Sequence, residues 1–386
     1  MSGILASRAR GLKQSEIRGM TVRAMECGGV NLAQGMCELP TPDVVKASAC
    51  RAIDQDCNTY APLNGKPSLR ARISERIKKF NGIEADPASQ ITLASGATGA
   101  YTVALMSLLE AGERVISFEP FYGYHVNLLR VLGFEPVFCR MEKPNWEVDY
   151  DALERMLADG VRVLVLNTPS NPCGKVFSRD ELEKIGKLCT AYDAWVITDE
   201  IYEYITFGGH QHVSLASLPG MFERTITISG FSKTLAMTGW RLGWASGPEE
   251  VIEKMTLISD LLYICAPHPL QEGVSQALDE LGDDYFTALA PMYETKRTRL
   301  ADALSARGFR PLPQEGTYFM LADYTDVYGD IGSLEAMERL FEECKLATVP
   351  AASFFSGGHD ENWLRLCFAL REENLGRAVE LLEKSN

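Results

Sequence analysis

Thr225-Ile226-Thr227-Ile228-Ser229-Gly230-Phe231-Ser232-Lys233-Thr234-Leu235-Ala236-Met237-Thr238-Gly239-Trp240-Arg241-Leu242-Gly243-Trp244-Ala245 holds two short runs of strand length, Thr225 to Ile228 and Leu242 to Ala245. Between Ser229 and Trp240 the only charged residue is Lys233. Solvent exposure is the ordinary fate of a lone lysine, but these flanking residues offer no strongly polar face. Desolvation disfavours an ammonium and lowers its pKa, which is the condition for a nucleophilic or Schiff-base lysine.

Outward from this stretch the pattern repeats. From Asp43 to about Pro248, short apolar runs alternate with segments of helical period, as in βα units around a mostly parallel sheet. Strands are expected at Ile91 to Leu93, Val115 to Phe118, Phe134 to Cys139, Arg162 to Leu166, Trp195 to Thr198, Thr225 to Ile228 and Leu242 to Ala245, a seven-stranded sheet. Leu69, Ile73, Ile77 and Phe80 recur at helical spacing, and Ser178-Arg179-Asp180-Glu181 reads as a capping box opening a helix that runs to Tyr192. Beyond Leu281 the rhythm changes to a long helix through Tyr293 and Leu300, a strand at Thr317 to Leu321, a helix near Leu334 to Cys344 and a strand near Leu364 to Phe368. The fold class is α/β: a large domain over residues 44–281, and a smaller α+β domain formed by residues 1–43 and 282–386.

In open α/β sheets ligands bind beyond the carboxyl ends of the strands, and this chain sets its unusual residues there. Ser95-Gly96-Ala97-Thr98-Gly99-Ala100 opens a helix after the first strand, where free backbone N–H groups suit a phosphate. Taken alone, it is more simply a tight turn. Asn167-Thr168-Pro169-Ser170-Asn171-Pro172-Cys173-Gly174 and Asp199-Glu200-Ile201-Tyr202 follow two further strands, and Asp199 could instead cap a following helix. Together these residues make sense as a pyridoxal phosphate site, which needs a lysine for the aldehyde, an acid for the pyridine nitrogen, donors for the phenolate oxygen, and cations with amides for the phosphate. Lys233, Asp199, the pair Asn171 and Tyr202, and Arg241 with the Gly96 loop fill those needs in turn. Tyr122, in Glu119-Pro120-Phe121-Tyr122, offers an aromatic face.

The chain resembles the class I and II aminotransferases of the fold-type I pyridoxal phosphate family over nearly its whole length. The most specific stretches are Asn167 to Gly174, Asp199 to Tyr202 and Ser229 to Gly243, with Asp199 34 residues before Lys233 and Arg241 8 after it. The resemblance implies that Lys233 forms the internal aldimine, Asp199 pairs with the pyridine nitrogen, Asn171 and Tyr202 bond the phenolate oxygen, and Tyr122 stacks on the ring. It implies that Gly96, Ala97, Thr98, Ser232 and Arg241 hold the phosphate. Tyr60 would reach the phosphate in a neighbouring subunit, which implies a homodimer. Arg365, in Trp363-Leu364-Arg365-Leu366, matches the family's carboxylate-binding arginine, and Gly35 matches the loop beside the substrate.

Gly230 stands where relatives commonly have serine or threonine, which leaves Ser229 and Ser232 as alternatives at the phosphate, with Ser232 taken here. No arginine lies between Leu257 and Leu270, where dicarboxylate-specific relatives keep one, and this argues against aspartate or glutamate as donor. Gly35 to Leu39, Tyr122, Tyr263 and Gln314 to Tyr318 are expected around the substrate side chain and suggest aromatic or large apolar donors. The reaction implied is ping-pong transfer of an amino group from an L-amino acid to a 2-oxo acid. The alternative on the same scaffold is a carbon–sulfur or related lyase.

Composition excludes much else. At about 150 residues per domain, 386 residues suggest two to three domains, and 46% hydrophobic with 23% charged residues exclude a disordered, collagen-like or coiled-coil chain. The net charge of −14 repels phosphate backbones and anionic lipid, so neither nucleic acid nor membrane is an expected partner. Ten cysteines include no Cys-x-x-Cys pair, and the N-terminal stretch, with Arg8, Arg10, Lys13, Glu16 and Arg18, lacks a secretory apolar core. A cytoplasmic protein is expected. Of five histidines only His210 and His212 are close in sequence, and no metal is expected. A non-catalytic regulator would need a DNA-binding extension, and a nicotinamide enzyme would need a dinucleotide fingerprint.

Overall fold

The computed structural model describes residues 6–10 and 16–384; Lys13 of the basic N-terminal stretch lies outside the described residues. The seven expected strands share one sheet, in the order Ile91–Ser95, Leu242–Ser246, Thr225–Gly230, Trp195–Asp199, Val163–Asn167, Arg114–Glu119, Glu135–Glu142, and a short eighth strand, Glu147–Val148, extends the far edge. Only Leu242–Ser246 and Glu147–Val148 run against the rest. The central strands are buried along their length, as expected of apolar runs covered by helices on both faces.

The register decides what the sheet presents. Asn167 is opposite Asp199, Asp199 opposite Ile228, Gly230 opposite Gly243, and Ser95 opposite Leu242. The carboxyl ends of the parallel strands and the start of Leu242–Ser246 therefore meet at one edge. Helix Gly96–Leu108 turns its small residues Ala100 and Ala104 into the core, and its first turn settles on Gly243, where a Cβ would come within 2.5 Å of the Ala97 nitrogen. Only glycine at 243 lets the helix start sit so close to the strand. The box at Ser178 has both arms, and its helix is Arg179–Ala191.

Elements after residue 282 form a separate four-stranded sheet, Arg310–Pro311, Phe319–Asp323, Trp363–Cys367 and Val349–Pro350, antiparallel throughout. Helices Leu289–Ala306 and Ser333–Cys344 accompany it. The strand expected from Thr317 starts at Phe319 instead, because Thr317 has a φ of +66° and cannot lie in a ladder. Val30 and Asn31 pair in parallel with Leu346 and Ala347, which joins the N-terminal segment to these C-terminal elements. Arg365 is central in its strand, opposite both Leu321 and Val349. No helix among the described residues is long and apolar enough to cross a membrane.

Candidate active site

The strand edge and the second sheet enclose a cleft of about 510 Å³ lined by residues of both, from Ala97, Tyr122, Asn171 and Asp199 to Lys233 and Arg365. Lys233 stands just past the end of Thr225–Gly230. Its Nζ donates to the Gly35 carbonyl at 3.0 Å, and Tyr318 Oη donates to the same oxygen at 2.9 Å. The ammonium also faces the rings of Tyr202 and Tyr318, at 5.7 and 5.3 Å from their centroids. Burial lowers the Lys233 pKa to about 8, against the smaller raising effects of Cys367, Cys37 and Asp199. The loss of hydration outweighs the nearby negative potential, so about a tenth of the amine is neutral at pH 7, where an ordinary lysine has almost none.

Asp199 ends its strand buried, and its two oxygens have separate duties. Oδ1 accepts from the Ile201 N–H at 3.2 Å, and Oδ2 lies 2.9 Å from His125 Nε2. No helix follows Asp199, so it closes a turn and does not cap a helix. The His125 ring is held edge-on to Tyr122, with centroids 5.1 Å apart, and against Tyr101 at 4.5 Å. Burial raises the phenols of Tyr122 and Tyr202, which stay protonated and able to donate.

Arg365 is 1% exposed. Its guanidinium lies over Phe319 and Phe354, donates to Asn171 Oδ1 at 2.9 Å and to the Ala33 carbonyl, and leaves Nε buried without a partner. A buried cation that lines a cleft, with its planar group fixed by two acceptors, suits a carboxylate.

Behind the edge a polar knot decides between the two serines. Ser229 Oγ donates to Glu203 at 3.1 Å, Asn81 donates to the same carboxylate at 2.7 Å, and His212 lies 2.8 Å from Glu200. Burial pushes the Glu203 carboxyl up to about 7. Glu200, Glu203 and His212 bring ligand atoms within 4.8 Å of one another; Glu200 Oε2 is shared by His212, Ser214 and Asn81, whereas Glu200 Oε1 and His212 Nδ1 are buried without a partner. Ser229 is thereby turned from the cleft, whereas Ser232 lines it.

The start of helix Gly96–Leu108 forms the other wall. Gly96 has a φ of +71°, and a Cβ there would stand 2.3 Å from the Arg241 guanidinium. Arg241 itself adopts a φ of +56°, a conformation that costs a non-glycine residue about 1 kcal/mol and is typically retained at functional sites. Its Nη1 donates to the Thr238 carbonyl at 2.8 Å. The result is a cradle of helix N-terminal amides under a fixed cation, suited to a phosphate dianion.

Gly35, Ala97, Thr98, Tyr122, Asn171, Asp199, Tyr202, Ser232, Lys233, Arg241 and Arg365 all line the one cleft. Gly96 lies beneath Arg241, and Tyr60 stands outside the cleft, 74% exposed. Among residues expected around the substrate side chain, Tyr263 turns its hydroxyl to Ser259, and Gln314 donates to backbone carbonyls of its own loop. Neither reaches the lining; Phe319 and Tyr124 do. Sequence reasoning missed His125, which has no motif of its own; its three-residue spacing from Tyr122 at a helix start was the available signal.

A partly neutral lysine, a buried acid, paired phenol and amide donors, an aromatic face and an anion cradle in one cleft fit pyridoxal phosphate and define a pyridoxal phosphate-dependent enzyme with a fold-type I large domain. The chain belongs to the aminotransferase class I and II family, whose pattern it matches over residues 28–382. It is 33% identical to kynurenine–oxoglutarate transaminase 3 of Mus musculus, over 99% of this chain and 90% of that one. It is also 33% identical to aromatic-amino-acid aminotransferase 2 of Thermococcus litoralis, over 98% and 97%. The solved structure of N-succinyldiaminopimelate aminotransferase from Mycobacterium tuberculosis superposes with a TM-score of 0.94 at 33% identity, covering 99% of this chain and 100% of that one. The protein is a pyridoxal phosphate-dependent aminotransferase that moves an amino group from an amino acid to a 2-oxo acid.

Proposed function

We propose that Lys233 carries the cofactor and moves the substrate's α-proton, and that Arg365 binds the α-carboxylate of donor and acceptor alike. The observation that carries this reading is that the buried guanidinium of Arg365, with Nε unpartnered, shares one cleft with the Lys233 amine. When bound, pyridoxal phosphate supplies the electron sink for the carbanion at the substrate's α-carbon. Asp199, steadied by His125, keeps the ring nitrogen protonated. Asn171, whose Oδ1 is taken by Arg365, turns its amide N–H toward the phenolate oxygen together with Tyr202. Tyr122 packs on the ring face. Ala97, Thr98, Ser232 and Arg241 hold the phosphate. Arg365 fixes the carboxylate so that the α C–H lies by the lysine, the positional contribution that makes proton transfer fast.

The test is the visible spectrum of the holoenzyme, with each amino acid added in the absence of any oxo acid. A yellow band that bleaches supports the reading, and a band that no amino acid bleaches overturns it. The lining residues Met36, Tyr122, Tyr124, Leu128 and Phe319 favour aromatic or large apolar donors, and aromatic donors are expected to bleach the band fastest. Because only the neutral amine can attack the cofactor's aldehyde, uptake of pyridoxal phosphate by the apoprotein is expected to speed up with pH, with a midpoint near pH 8 and a plateau beyond it. A stopped-flow pH series reads this, and a midpoint near 10 would contradict the desolvated lysine.

The working unit we propose is a homodimer. Tyr60 and Leu63 are exposed, and so are Leu257, Leu261 and Leu262 on one helix, with Leu261 85% exposed. Apolar patches of this kind mark protein interfaces. Tyr60 would then reach the partner's phosphate cradle. Tyr60→Phe is expected to weaken cofactor retention about tenfold to a hundredfold, the worth of one hydrogen bond to a charged group, with the dimer intact by light scattering. All ten cysteines are free, which supports a reducing, cytoplasmic setting.

A further inference from the structure

An enzyme that alternates donor and acceptor must admit two different side chains into one cleft, and the mouth of this cleft holds a cation that the roles above leave unused. Arg18 lines it beside Gln34, Gly35 and Met36. Its side chain is exposed, with no carboxylate partner among the described residues. The helix that carries it, Glu16–Glu26, is firmly seated. Met20 and Ala24 are buried, Arg23 pairs with Glu338 at 2.7 Å, and Thr21 Oγ1 donates to Gln34 Oε1 at 3.3 Å. Residues three apart share a helix face, so the Thr21 contact directs Arg18 toward the same loop. A cation in the first turn stands at the unfavourable end of the helix dipole, so helix electrostatics do not account for it.

The charge balance of the lining points the same way. Lys233, Arg241 and Arg365 are assigned, and the one carboxylate, Asp199, is engaged by His125. The exposed part of the lining is left positive, while Arg365 is the buried cation of the same cleft. Resting on the assignment of Arg365 to the α-carboxylate, we propose that Arg18 pairs with the far carboxylate of a 2-oxo dicarboxylic acid and makes such acids the preferred amino acceptors. Being exposed, and without a carboxylate partner among the described residues, the side chain can swing out when an aromatic donor enters. The second cation absent from Leu257 to Leu270 is thereby supplied from the N-terminal helix, and discrimination against dicarboxylates no longer follows from its absence there.

The experiment is steady-state kinetics of the holoenzyme with one aromatic donor and two acceptors, 2-oxoglutarate and pyruvate, for the wild type, Arg18→Gln and Arg18→Lys. Wild type should favour 2-oxoglutarate. Arg18→Gln should shift the ratio of kcat/KM for 2-oxoglutarate over pyruvate about tenfold toward pyruvate, through KM, and Arg18→Lys should restore part of it. An unchanged ratio in Arg18→Gln overturns the proposal, as does a wild type that uses pyruvate and ignores 2-oxoglutarate; in both cases the aminotransferase reading stands. Failure of every donor to bleach the wild-type band would instead overturn the Arg365 and Lys233 assignments beneath it.

Discussion

Lys233→Ala is expected to retain the fold and lose turnover by about 10⁴-fold or more. The amine is the one group in the cleft that combines a depressed pKa with a place among the cofactor donors. A positioned base alone contributes about 10²–10⁴-fold, and this residue also anchors the cofactor. Stability should not suffer, because burying an ammonium costs solvation, and the Gly35 carbonyl that accepts from the amine keeps Tyr318 as a second donor. Circular dichroism and thermal unfolding would establish the fold, and single-turnover bleaching by an aromatic amino acid would read the chemistry. Turnover within tenfold of wild type would remove Lys233 from the mechanism.

Arg365→Ala should lower kcat/KM by about 10²–10⁴-fold for donors and acceptors alike. Two charge-assisted hydrogen bonds to a carboxylate, at about 1.5–3 kcal/mol each, correspond to that range. Both half-reactions suffer because both substrates carry the α-carboxylate. Arg365→Lys should recover little, since an ammonium keeps the charge but not the planar fork that lies over Phe319. Stability is the control: the alanine leaves Asn171 Oδ1 and the Ala33 carbonyl short of a donor, yet it relieves the burial of a cation, and these oppose each other. A variant that lost only acceptors with a second carboxylate would show that Arg365 and Arg18 had been assigned the wrong way round.

Much of this was legible beforehand, and the exceptions share a cause. The parallel strands were readable because both of their faces are covered, which writes each one as a short apolar run. The eighth strand, Glu147–Val148, is two residues long and sits on an edge, too short for any alternation to register. Asp199 and Asn171 stood out as polar residues at and after the ends of apolar strands, and Arg241 as one just before another. His125 did not, because its meaning depends on a carboxylate 74 residues away. Ser229 and Ser232 were equivalent in sequence, and only the buried carboxylate of Glu203 separates them.

The sequence by itself determined the layered α/β fold and which polar stretches gather at the strand edge, because these follow from local periodicity and from the rule that ligands meet strand ends; it singled out Lys233 as the lone charge of its stretch. The tertiary structure alone decided which side chains line the cleft: Ser232 and not Ser229, Phe319 and not Tyr263, and Arg18 of the N-terminal helix. Those choices depend on contacts between residues far apart in the chain, up to 332 positions in the case of Arg365 and Ala33, and no local pattern carries the direction in which a side chain points once two sheets close on each other.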